Sequence, residues 1–195
     1  FINYFFNNEI SMLKAFVSFF RTMSFDIVTA WNVNFDMPYL INRLFSLNLH
    51  QEASSLSPVN NVFVKKSLKE DVQDAVIRGI VIIDLLRTYR RLNGKELRSF
   101  TLRNVAMHEL GIDKGLVNVQ KEWEKDKIDD LLEYNRKDVE LIVKINEKKK
   151  ILEFVISVSD VSKGNMEDVK YYSRVSDFIC LLHAHNNRIA LPTKV

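Results

Sequence analysis

Asp36 stands just past the point where an apolar run, Phe25 to Trp31 (FDIVTAW), gives way to the polar turn Asn32-Val33-Asn34. A carboxylate at a strand-to-helix junction lies on the edge of an α/β sheet where ligands bind, and its oxygens suit a hard cation such as Mg²⁺. Taken alone, the position is better explained by an aspartate favouring a helix N-terminus. Tyr134 and Asp138 form a second candidate, spaced Tyr-x-x-x-Asp in YNRKD. Positions i and i+4 share a helix face, so phenol and carboxylate can converge on one solvent molecule, which a bound cation could activate. Taken alone, that pair too is better explained by a packed tyrosine beside a solvated aspartate, a pairing that occurs often by chance. Asp84, which ends the run GIVIID, and Asp26, which opens FDIVTAW, read as structural. His50, His108, His183 and His185 make no ligand set. His183 and His185, two apart on a helix, point about 200° from one another. No Walker-type, dinucleotide-binding or nucleophile-elbow glycine pattern occurs.

These residues need elements to hold them. Ile10, Leu13, Phe16, Val17 and Phe20 recur three or four apart, predicting a helix over 9–22 with Asn7 or Asn8 as N-cap. FDIVTAW predicts a strand buried on both faces. Pro38 suits the first turn of the next helix, which Tyr39, Leu40, Leu44 and Phe45 carry to about residue 49. Residues 50–60 are turn-rich and predict a loop. Val62–Lys66 and Gly79–Asp84 predict strands, joined through the polar connector 67–74. Residues 85–92 predict a short helix followed by an Asn93-Gly94 turn. Ser99 or Thr101 can cap a helix that Gly111 stops. Residues 112–128 are charged and irregular. One long helix is expected from Asp129 to about Ile156, with Leu131, Leu132, Ile142, Ile145 and Ile151 as its apolar members and Lys148, Lys149 and Lys150 exposed. Another is expected from Asp168 to His185, with Tyr171, Val175, Phe178, Ile179 and Leu182 facing inward, before an extended exit.

The 195 residues suit one globular domain, or one plus an appendage. With 47% hydrophobic and 27% charged residues, wholesale disorder is excluded. The single cysteine, Cys180, excludes an intramolecular disulfide framework and a cysteine-based zinc site. It is expected to be a small buried hydrophobe in a reducing, cytoplasmic compartment. No apolar run approaches the length of a membrane span. The net charge of +3 lies wholly in residues 84–150, where sixteen basic residues face thirteen acidic ones. Alone, that excess reads as a solvated basic face.

Joined in order, the motifs say more. FDIVTAWNVNFDMPYLINR (25–43) resembles the second exonuclease motif of family B DNA polymerases, and YNRKD (134–138) resembles the third. VIIDLL (81–86), the stretch from Ser99 to Lys114 and the exit RIALPTKV fit the same order, so the likeness covers nearly the whole chain. The bacteriophage-type branch is the nearest match, through Trp31-Asn32 and PYLINR. Two departures stand out. WNVNFD is one residue shorter than the usual spacing, so either Asn32 or Asn34 can take the place of the motif's asparagine. The first exonuclease motif, Asp-x-Glu, does not occur within residues 1–35.

The resemblance implies an α/β, partial ribonuclease-H-like exonuclease fold, helix-rich with a small incomplete sheet. Residues 1–160 would be the exonuclease domain lacking its first strands, and 161–195 a helix and exit segment leading toward the palm. The implied activity is 3′–5′ proofreading in a longer DNA polymerase, by a two-metal site using Mg²⁺ or Mn²⁺. By position, Asp36 and Asp138 would be metal ligands and Tyr134 would orient the attacking water. Asn32 and Phe35 would lie near the unpaired primer 3′ end, and Lys114 would contact a phosphate. The partners implied are DNA, as a single-stranded primer end, and the remainder of the polymerase, with no membrane. A replication enzyme of this kind would act in the host cytoplasm if phage-encoded. The segment alone is expected to bind metal weakly and to be inactive. A dimer through an exposed sheet edge is a further expectation. The competing reading is a catalytically dead exonuclease-like scaffold.

Overall fold

The computed structural model describes residues 2–66, 73–93, 97–112 and 128–192. Helix α1 (Glu9–Met23) starts where Asn8 caps it, the Oδ1 atom accepting from the Ser11 amide at 2.8 Å. Its inward residues are Leu13, Val17 and Phe20. Strand β1 (Ile27–Ala30) follows, then α2 (Val33–Ser46), α3 (His50–Ser55), β2 (Val62–Lys66), β3 (Gln73–Ile77) and β4 (Val81–Asp84). These elements belong to a compact unit spanning Phe1–Leu85. Its core joins the α1 residues to Val33, Met37, Ile41 and Leu44 of α2, to Leu49, Ala53 and Leu56 around α3, and to Ile77 and Ile80.

The strands form two two-stranded sheets. β1 and β4 run parallel with Ile27 opposite Val81 and Ala30 opposite Asp84. The Thr29 hydroxyl ties them further by donating to the Ile83 carbonyl at 2.8 Å. β2 and β3 are antiparallel, Val62 opposite Ile77 and Lys66 opposite Gln73. The helix-rich α/β architecture with a small sheet agrees with expectation. β1 is half-buried along its whole length rather than buried on both faces, because β4 is its only ladder partner among the described residues.

Three local expectations in this unit are corrected. Pro38 is the sixth residue of α2, not part of its first turn. The helix begins early because Asn32 adopts the left-handed region (φ 72°, ψ 41°) and its carbonyl already accepts from Phe35 at 2.9 Å. Pro38, lacking an N–H, cannot donate to the Asn34 carbonyl one turn back. Residues 50–55 are helical rather than loop; Leu49, Ala53 and Leu56 supply a short buried stripe that outweighs the serines beside them. Residues 73–77 are a strand, where the polar connector was expected to run to 74.

The second unit spans Leu86–Val195. It contains most of α4 (Leu85–Asn93), then α5 (Leu102–Leu110), α6 (Ile128–Lys149), α7 (Ile151–Ser162), a 3₁₀ turn at Met166–Asp168 and α8 (Tyr172–Asn186). Thr101 caps α5 through its hydroxyl, which accepts from Asn104 at 3.4 Å, and Gly111 ends it in the left-handed region (φ 69°). The expected single helix over 129–156 is two helices. Lys150 takes φ 53°, its amide still donates to Asn146 O at 2.7 Å, and Asn146 Oδ1 caps α7 by accepting from Leu152 at 3.1 Å. Lys148 and Lys149 are not simply solvated, since both pair with Glu109. Among the apolar members of these helices, Ile145 and Ile151 are fully buried, as is Leu141 nearly so.

The last helix starts at Tyr172, four residues later than expected, after the 3₁₀ turn. Tyr171 and Ile179 are exposed rather than inward, and Ala184 is the buried residue of α8. Cys180 is exposed, against the expectation of a buried thiol, because α8 turns that side to solvent. No helix among the described residues is long and apolar enough to cross a membrane.

Candidate functional site

Asp36 lies in the first turn of α2, where the chain has just left β1. Its position is set by a contact that spans the sheet. Asp84, the last residue of β4, sits opposite Ala30, the last of β1, so its side chain reaches the start of α2. There Asp84 Oδ2 accepts from the Asn34 amide at 3.2 Å, replacing the side-chain cap that Asn32 does not provide. The Asn34 side chain in turn donates to Asp74 Oδ1 of β3 at 3.0 Å. The N-terminus of α2 is thus fastened to both sheets by carboxylates, which suit a helix N-terminus. Asp84 is buried, at 7% exposure.

This arrangement acts on Asp36. Its carboxyl reaches solvent, yet partial burial, and then the nearby Asp84 carboxylate, raise its pKa above the ordinary aspartate value. The helix dipole opposes that rise and is outweighed. Phe35 and Tyr39 flank Asp36 on α2, 65% and 64% exposed. Their rings stack at 6.3 Å with 12° between planes. Asn32 is exposed at the turn before the helix.

Tyr134 and Asp138 lie in the second unit, on α6, four residues apart and both half-buried. The solvent side of the same stretch carries a charge lattice: Arg136 pairs with Glu140 at 3.0 Å and Glu133 at 3.8 Å, and Lys137 with Glu133 at 3.7 Å. Lys114 lies outside the described residues. Asp36 and Asp138 offer oxygen donors, which fit Mg²⁺ or Mn²⁺ in kind. Among the described residues no three or more His, Cys, Asp or Glu side chains are grouped to hold a metal.

Sequence reasoning assigned Asp84 a structural role, which the cap bears out, but missed that this cap bears on Asp36. The signal was an acid closing an apolar strand. Tyr39 reads in sequence as a helix former and as part of PYLINR, but its place four residues after Phe35 also predicts the shared face.

A helix-rich α/β unit with an aspartate at the strand-to-helix edge agrees with comparison to known proteins. The family described as DNA polymerase family B, exonuclease domain, matches residues 3–105, and the chain belongs to that family. It is 28% identical over 181 residues to the DNA-directed DNA polymerase of Enterobacteria phage T4, covering 87% of this chain and 20% of that polymerase. Against the DNA-directed DNA polymerase of Escherichia phage RB69 the identity is 24% over 171 residues, covering 84% and 19%. The DNA polymerase catalytic subunit of Saimiriine herpesvirus 2 (strain 11) is 31% identical over 120 residues, covering 57% and 12%. The chain spans about a fifth of the length of the two phage relatives. The family resemblance read from NFDMPYLINR is borne out.

Proposed function

We propose that this chain is the proofreading segment of a DNA polymerase, in which Asp36, Tyr134 and Asp138 serve the hydrolysis of the 3′-terminal phosphodiester. The observation that carries this reading is the exonuclease-family match over 3–105, which includes Asp36 and its setting at the start of α2. Asp36 and Asp138 supply hard oxygen donors for a divalent cation. Such a cation, when bound, supplies a water of lowered pKa and neutralises charge on the phosphate. The Tyr134 hydroxyl, one helical turn before Asp138, hydrogen-bonds and orients the attacking water. Asn32 and Phe35 lie along the unpaired primer end, and Lys114 contacts a phosphate. The strand must arrive unpaired, so mismatched ends are preferred because their fraying costs less. Two carboxylates carry −2 against the +4 of two divalent ions. This segment by itself therefore binds metal weakly and hydrolyses little, and its working partners are DNA and the rest of the polymerase.

The test uses a 5′-labelled primer with a mismatched 3′ end. In the polymerase that carries this segment, Asp138→Ala should cut trimming by at least about 100-fold while nucleotide incorporation continues; metal second-shell changes alone cost 10–100-fold, and a direct ligand should cost more. Trimming that survives Asp138→Ala unchanged overturns the assignment. The 195-residue chain should leave the primer intact with Mg²⁺ or Mn²⁺. Robust trimming by this chain that Asp138→Ala abolishes would show that further carboxylates are dispensable.

A further inference from the structure

Helix α1 carries a face that the core of the first unit does not use. At about 100° per residue, its buried residues Leu13, Val17 and Phe20 lie in the same half of the helix as its three charges. Those charges already have places. Glu9 accepts from Arg43 Nε at 2.7 Å, Lys14 pairs with Glu52 at 3.3 Å, and Arg21 lines a cavity with Phe20 and Ser24. The opposite arc, about 160° wide, runs from Ser18 round to Phe16 and holds no charge. One half of that arc is large and apolar: Met12, Phe16, Phe19 and Met23 are 38% to 56% exposed. The other half is small, with Ser11, Ala15, Ser18 and Thr22, and the Thr22 hydroxyl already donates to the Ser18 carbonyl at 2.8 Å. The segment leading into the helix adds Ile2, Tyr4, Phe5 and Phe6, 41% to 77% exposed.

Area decides how much of this surface a contact needs. At about 150–250 Å² for a large side chain, these exposures leave about 400 Å² of apolar surface on the helix and about 500 Å² on the segment. The largest patch on a typical monomer is about 300–600 Å², and a stable interface takes about 800 Å² from each partner. The helix stripe alone falls short of that; stripe and segment together reach it. Charge and shape point to the occupant. An acidic or basic partner would find no counter-charge on the arc. A second copy brings an equally uncharged face, so no charge is stranded when the two meet. A two-fold axis running along the helix sets the large half of one copy against the small half of its mate. The same axis places both 2–6 segments at one end of the contact.

We propose that this chain forms a two-fold dimer through α1, with Met12, Phe16, Phe19 and Met23 of each copy packed on the small half of the other helix and the 2–6 segments completing the contact. The face shares no residue with those proposed for hydrolysis, so the dimer and that reading fail separately.

The test is sedimentation velocity on the 195-residue chain, from about 1 μM to about 100 μM. The mass should rise with concentration from 22.8 kDa and level off at two copies. Met12→Glu and Phe19→Glu should each weaken association at least about tenfold, since each puts an unpaired charge into the contact. Val161→Glu, on α7 and 71% exposed, should leave it unchanged. All three side chains are exposed, so circular dichroism should match the parent in every variant. High salt should leave the parent dimer intact, because no ion pair holds it. A monomer at every concentration overturns the proposal and leaves the face to a different chain. A dimer that survives both Met12→Glu and Phe19→Glu also overturns it, and assigns the contact to another surface such as the sheet edge. So does a dimer that high salt dissolves or that Val161→Glu weakens equally, and so does a mass that climbs past two copies.

Discussion

Removing one hydroxyl tests how α4 and α5 are held to the helix that carries Tyr134 and Asp138. Tyr89 is fully buried and its hydroxyl donates to Glu109 Oε1 at 2.6 Å. Glu109 also meets Lys149 at 3.3 Å and Lys148 at 3.5 Å, both on α6. Burial works against the Glu109 charge, but the Tyr89 hydroxyl and then the two lysines outweigh it and hold the carboxyl below the usual glutamate range. In Tyr89→Phe the ring stays, with its edge contact to Phe100 at 6.2 Å, so almost no apolar burial is lost. What is lost is a hydrogen bond to a charged acceptor, about 1.5–3 kcal/mol. Two partners remain on Glu109, which places the cost at about 2 kcal/mol. For a unit of this size the melting temperature should fall by about 8 °C. The assay is thermal circular dichroism with amide hydrogen exchange, which reports the second unit separately. The pH dependence fixes the cause. A carboxyl with a depressed folded pKa contributes stability above its unfolded value, 4.5, and loses it as pH falls through the folded value. The gap between parent and variant should therefore be full at pH 7 and close in acid. A difference under about 0.5 kcal/mol at pH 7, or a gap that widens toward low pH, would refute the account.

Other outcomes follow from the first unit. Asp84→Ala removes the acceptor for the Asn34 amide and should cost about 1–2 kcal/mol, whereas Asp84→Asn keeps an oxygen there and should cost less; chemical denaturation compares them. Gly79→Ala puts a Cβ 2.5 Å from Pro58 Cγ at φ +89°, and should destabilise by at least about 1–3 kcal/mol in the same assay. Asp36→Asn should stabilise the unit at pH 7 and make no difference in acid. The raised Asp36 pKa means the folded state holds its proton more tightly, so stability drops as pH rises from the unfolded value, 3.8, through the folded one. An Asp36→Asn chain less stable than the parent at pH 7, on paired pH titrations of unfolding, would contradict that sign.

Where a local signal was sufficient, the sequence was legible. Asn8 with the 3.6-residue spacing after it marked α1, and Thr101 with Gly111 marked α5. Where the signal lay in tertiary pairing, it was not. Residues 50–55 are helical because the core of the first unit receives Ala53 with the flanking Leu49 and Leu56, yet the serines among them read as loop. The break at Lys150 has no glycine or proline to announce it; a lysine takes the left-handed conformation because Asn146 caps the next helix. Tyr171 and Ile179 fit an apolar periodicity that α8 does not bury. The candidate residues were found by type and spacing, which is why Asp36, Tyr134 and Asp138 stood out. Asp84 was seen as structural, but its effect on Asp36 depends on the register that sets it opposite Ala30, and no local pattern encodes a register between strands fifty residues apart.

The Asp36 environment also separates stability from chemistry. A carboxylate in the first turn of a helix is ordinarily favoured, because the dipole and free amides attract it. At α2 that favour is taken by Asp84, which is buried and bonded to the Asn34 amide. Asp36 then meets a negative neighbour and partial desolvation, and its charged form is disfavoured. Stability alone would place an uncharged residue at 36, since the helix already has its cap. Keeping an acid there imposes repulsion that folding does not need but that a bound cation would relieve. The cap explains Asp84 without any ligand, whereas burial and the Asp84 carboxylate both oppose the charge on Asp36. That asymmetry supports the proposal of a chemical role for Asp36, beside the capping role that the Asn34 contact gives Asp84.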